Sequence, residues 1–131
     1  MIGLPEIDTL NADQLADALE MAAANGSWDD RAAIALIIAQ RSWLYRAEFR
    51  RAVEIDLDDG QLWAWVDWSA IDMTAPASSG ELRILEIARS LGGIPSCRPL
   101  SDLLFGLDER NVGRVIAAIQ VATWGYERNL R

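Results

Sequence analysis

The sequence predicts a mainly helical α+β domain, with about five helices around a central buried helix and one β-hairpin near residues 53–66. Three observations carry this prediction. Residues Ala32 to Ala39 are apolar on every helical face, as a helix surrounded by other elements must be. The stretch VEIDL-DDG-QLWAWV changes to strict alternation on either side of Asp59-Gly60, a strong hairpin signal. Helical periodicity then returns between a Ser78-x-x-Glu81 capping box and the glycines that follow. At 131 residues the chain is one domain by length. It is long enough to bury about two-thirds of its unfolded surface. It divides into a helical pair over 1–52, the hairpin over 53–68 and a three-helix segment over 78–125.

The first helix starts at Asn11, whose side chain can cap it while Gln14 reaches back. Leu15, Leu19 and Ala22 lie on one face, Asp13, Asp17 and Glu20 on another, and Asn25-Gly26 ends the helix. Ser27 caps a long second helix, with Asp29 and Asp30 in the first turn, where the helix dipole favours negative charge. After Gln40 it becomes rich in arginine (Arg41, Arg46, Arg50, Arg51) and is expected to end near Arg51 or Ala52.

In the hairpin, a two-residue turn at Asp59-Gly60 fixes the register. Val53 then faces Val66, Glu54 faces Trp65, Ile55 faces Ala64, Asp56 faces Trp63, Leu57 faces Leu62 and Asp58 faces Gln61. Every apolar residue of the inner face opposes another, and a slip of one residue would destroy the pattern. Trp68 ends the strand on the core side.

A third helix runs from about Ser79 to Leu91, with Leu82, Leu85, Ala88 and Leu91 as its buried stripe and Gly92-Gly93 as its stop. A short helix, Ser101 to Phe105, closes at Gly106. Asp108 caps the last helix, about Glu109 to Trp124, with Val112, Val115, Ile116 and Ile119 inward and Gly125 as its end.

Composition narrows the chemistry. There is no histidine and no lysine, and all twelve basic residues are arginine, as a GC-rich bacterial genome would encode. Imidazole bases, histidine metal ligands and Schiff-base lysines are therefore absent. Cys97, in IPSCRP, is the single cysteine and has no histidine to activate it. A lone thiol fits a reducing cytoplasm. The N-terminal MIGLPEIDTL has no secretory pattern, and the longest apolar run is far short of a membrane span. A calcium loop starting at Asp56 fails on spacing: Asp67 lands at the twelfth position, but Gly60 lands at the fifth instead of the sixth. The reading is a protein without an enzymatic role and without a cofactor.

The net charge of −8 is spread in blocks: −7 over residues 1–30, +4 over 31–51, −7 over 52–86 and +2 over 87–131. An acidic whole argues against nonspecific attachment to phosphate backbones. Two surfaces remain as candidates. One is the outer hairpin face, where Trp63 and Trp65 stand among Glu54, Asp56 and Asp58. Exposed, this face suits a basic protein partner or a second copy of the chain. Alternatively, the chain's own arginines fold over the indoles and the face is structural. The second candidate is a helix-turn-helix over residues 101–124, with Arg110, Asn111 and Arg114 placed to read DNA bases. Asp108 and Glu109 beside them would face phosphates, so nucleic acid ranks below protein as the partner.

Overall fold

The computed structural model describes residues 3–130, with side chains through Thr123. Among these residues are six α-helices and a two-stranded antiparallel hairpin. Helix α1 (Ala12–Ala23) opens with the predicted capping box. Asn11 Oδ1 accepts from the Gln14 N–H at 2.8 Å, and Gln14 Oε1 accepts from the Asn11 N–H at 2.9 Å. Leu15, Leu19 and Ala22 are buried. Helix α2 (Trp28–Gln40) is capped by Ser27 and packs against α1, α4 (Ser79–Leu91) and α6 (Glu109–Leu130). It is the central helix, though not enclosed on every side. Ala35 and Ile38 are half-buried and line a cleft of about 400 Å³ beside α1.

The arginine-rich stretch does not continue α2 to Ala52. The helix stops at Gln40, and Arg41 takes φ 74°, outside the right-handed helical region. Gln40 Oε1 accepts from both the Ser42 N–H (3.1 Å) and the Ser42 hydroxyl (2.8 Å), a local alternative to helical bonding. A 3-10 turn (Ser42–Tyr45) and a one-turn helix α3 (Ala47–Arg50) follow. The break lets the fully buried Trp43 donate its indole N–H to the Glu81 carbonyl at 3.0 Å, which ties the turn to the start of α4.

Strands β1 (Val53–Asp58) and β2 (Gln61–Val66) pair in the predicted register at all six positions. Asp59 (φ 52°) and Gly60 (φ 78°) both lie in the left-handed region, as a type I′ turn requires. Val53 and Ala64 are buried, and Ile55, Leu57, Leu62 and Val66 are half-buried on the same face. Trp68 is buried just after the hairpin and donates to Asp30 Oδ1 at 3.1 Å.

Helix α4 has the predicted Ser78–Glu81 capping box, but its buried stripe is shifted. Ile84, Leu85, Ile87 and Ala88 are buried, whereas Leu82 and Leu91 are half-buried. Helix α5 (Leu100–Leu104) precedes Gly106, which has φ 86°. Helix α6 is capped by Asp108 Oδ1, which accepts from the Asn111 N–H at 2.7 Å. It continues past Gly125 to Leu130 and does not stop there. One interior glycine costs a helix only about 1 kcal/mol, and residues 126–130 contain no proline to break it. Val115 and Ala118 face inward against the core, which turns Ile116 and Ile119 outward, 53% and 43% exposed. The expected inward placement of these two isoleucines is thereby corrected.

Glu81 is the hub where the break in the second helix meets α4. Arg46 Nη2 contacts Glu81 Oε2 at 2.8 Å, and Arg46 Nη1 donates to the Pro76 carbonyl at 2.9 Å. The Ser42 hydroxyl, the Ser78 backbone N–H and Arg46 hold the Glu81 carboxyl down to about 2, against the opposing effect of burial. The single Ser42 proton is also directed at Gln40, so the Ser78 and Arg46 contacts are the steadier part. A depressed carboxyl stabilises the fold above its ordinary value of 4.5, and that contribution is lost as pH falls toward about 2. The Glu81 side chain is 20% exposed, so solvent screening trims the effect. Glu81→Gln is expected to lower stability by about 1–2 kcal/mol at pH 7. In urea titrations repeated between pH 6 and pH 2, the wild-type and variant midpoints should converge toward the acid end. A constant gap would show that ionisation is not the cause.

Candidate functional site

The outer hairpin face is built by alternation. With Val53, Ile55 and Leu57 turned to the core, Glu54, Asp56 and Asp58 must point away, and all three are exposed. On β2 the same constraint turns out Trp63, half-buried, and Trp65, 41% exposed. The two indoles stack with ring centroids 6.0 Å apart and planes inclined by 25°. Asp56 is registered directly against Trp63, and Glu54 against Trp65. Directly opposed residues of an antiparallel pair have Cβ atoms about 4.5–5.5 Å apart, so each indole has a carboxylate as its cross-strand neighbour.

Residues 31–51 hold five arginines; Arg51 is exposed and acts on the Asp72 carboxylate, and the structure shows where the other four go. Arg31 lies over Trp28 at 4.4 Å and donates to the carbonyls of Ala23 and Ala24. Arg41 reaches Asp13 and Tyr45, and Arg46 is held at the Glu81 hub. Arg50 is buried and donates to three carbonyls: Leu44 through Nε, and Ile7 and Leu10 through Nη1, each at 2.8 Å. Among the described residues, no ion pair involves Glu54, Asp56 or Asp58, and no arginine stacks on Trp63 or Trp65.

The helix-turn-helix residues are placed differently. Arg110 is exposed at the start of α6, whereas Asn111 and Arg114 are half-buried. Arg114 Nη1 donates to Asn111 Oδ1 at 2.8 Å, so these two side chains engage each other. Asp108 and Glu109 are exposed beside them.

Sequence reasoning missed one surface. Leu100, Phe105, Ile116 and Ile119 are all exposed on α5, the turn after it and α6. A cleft of about 190 Å³ lies beneath, lined by Ile87, Leu91, Leu100, Leu103, Val115 and Ile119. The available signal was a second choice of inward stripe on α6, through Val115 and Ala118.

Cys97 is exposed, and the neighbouring Arg98 is turned toward Glu86 at 3.9 Å. Among the described residues, no group of three or more acidic or cysteine side chains is placed to hold a metal ion. No helix among them is long and apolar enough to cross a membrane. No protein-family model, curated protein or solved structure matches the chain.

Proposed function

We propose that the chain is a non-catalytic, acidic protein-binding module, of the regulator, inhibitor or immunity type, whose outer hairpin face docks a basic partner. The observation that carries this reading is the stacked Trp63–Trp65 pair, with Trp63 half-buried and Trp65 exposed, bordered by carboxylates that form no ion pair among the described residues. Tryptophan concentrates binding energy at interfaces, and the carboxylates Glu54, Asp56 and Asp58 would steer a cationic surface and speed its encounter. A two-stranded sheet also leaves one unpaired edge on each strand, where a partner strand or a second copy of the chain could add. The exposed lone thiol and the arginine-only basic set suit a reducing bacterial cytoplasm.

The test is affinity capture from a lysate of the chain's own host, with and without nuclease, using the wild type and the Trp63→Ala/Trp65→Ala variant. A protein partner that survives nuclease is expected, and its affinity should drop about 100-fold or more in the double variant. Circular dichroism should show the fold retained. A double variant that unfolds would assign the indoles to the core and end this reading. Capture of DNA alone, lost with nuclease, would transfer the function to Arg110, Asn111 and Arg114.

A further inference from the structure

One arrangement occurs twice inside this fold. The Arg46 guanidinium lies 5.2 Å from the Trp43 ring centroid, and its Nη2 is 2.8 Å from a Glu81 oxygen. The Arg41 guanidinium lies 5.9 Å from the Tyr45 ring centroid, donates through Nε to the Tyr45 hydroxyl at 3.3 Å and contacts the Asp13 carboxylate. In each case one arginine is held by an aromatic ring and a carboxylate together. The planar cation can do both, because its face meets the ring while its edge donates to oxygen.

The outer hairpin face repeats two of these three parts, twice over. Trp63 has Asp56 across the strand, and Trp65 has Glu54. The arginine is what each lacks among the described residues. The two half-sites are two residues apart on the strand, which is about 6.5–7 Å. An extended partner chain presents alternate side chains on one face at that same interval, whereas neighbouring side chains point to opposite faces. The open sheet edges favour an extended partner over a helix.

We infer that this face selects two arginines at alternate positions, Arg-x-Arg, of an extended partner segment. Each guanidinium lies on the outer side of one indole, the inner sides being turned to each other, and pairs with the carboxylate opposite. The inference rests on the protein-binding reading of the same face and names what that face recognises. Lysine fits less well, since an ammonium cannot lie flat on an indole while donating through a planar edge.

The experiment is calorimetric titration of the intact chain at physiological salt with three peptides of equal length and net charge. They carry alternate arginines, adjacent arginines and alternate lysines. The alternate-arginine peptide should bind about tenfold or more tightly than either of the others. That preference should vanish in Glu54→Gln/Asp56→Asn, a variant at exposed positions whose fold is checked by circular dichroism. Equal binding of all three peptides, or a preference that persists in the variant, overturns the inference. The protein-binding reading would survive that result if Trp63→Ala/Trp65→Ala still loses its captured protein partner, so the two failures are told apart.

Discussion

Arg50→Met is expected to lower stability by about 3–5 kcal/mol, and Arg50→Lys should recover little of the loss. Arg50 is 8% exposed and has no carboxylate partner among the described residues; three carbonyl dipoles stand in for one. Its bonds to Ile7, Leu10 and Leu44 join the N-terminal segment to the turn before α3. Removing the guanidinium strands the Leu10 and Leu44 oxygens, while the Ile7 oxygen keeps the Leu10 N–H at 3.3 Å; each buried acceptor left without a donor costs about 1–3 kcal/mol. The Ile7 oxygen is only partly buried and retains a donor, which keeps the total below the sum for three. An ammonium has three donors but cannot spread them across the same fork. Denaturant unfolding at neutral pH measures the change, and a loss under about 1 kcal/mol would show that water satisfies the carbonyls unaided.

Gly92→Ala is expected to cost about 2–3 kcal/mol, although alanine is the better helix former. Gly92 has an ordinary φ of −73°, so conformational freedom is not what it supplies. It supplies space: a Cβ there would sit 2.5 Å from the Cδ1 and Nε1 atoms of Trp68. The indole has nowhere convenient to move. Its N–H is bonded to Asp30, and Arg89 Nε donates to the Trp68 carbonyl at 3.1 Å. The diagnostic is a double-mutant cycle with Trp68→Leu. A smaller side chain at position 68 should absorb the new methyl, so the combined variant should be more stable than the two separate losses predict. Strict additivity would mean that the two positions do not meet.

The hairpin was legible in the sequence to the residue, because a strand's period of two leaves one register in which Val53, Ile55 and Leu57 oppose apolar partners. The caps at Asn11, Ser27, Ser78 and Asp108 were legible for a similar reason, since each bond spans only three residues. The break at Arg41 was not. It brings Trp43 to a carbonyl 38 residues away, and no local pattern announces that contact. The outward turn of Ile116 and Ile119 also escaped. Two neighbouring stripes on α6 are both apolar, and only the packing of α6 against α2 chooses between them. For the candidate site, alternation gave the membership of the face. Its openness depended on where distant arginines found their partners, which periodicity does not encode.

The Arg50 cage also bears on how this sequence can drift through evolution. Its acceptors are main-chain oxygens, which every amino acid carries. Positions 7, 10 and 44 can therefore exchange side chains without disturbing their half of the bond, within the limits set by their own packing. Position 50 has no such latitude. As homologues diverge, the result should be one fixed arginine facing three variable columns. Methods that infer contacts from paired substitutions would pass over it, because nothing changes in concert across a bond that only one side chain makes.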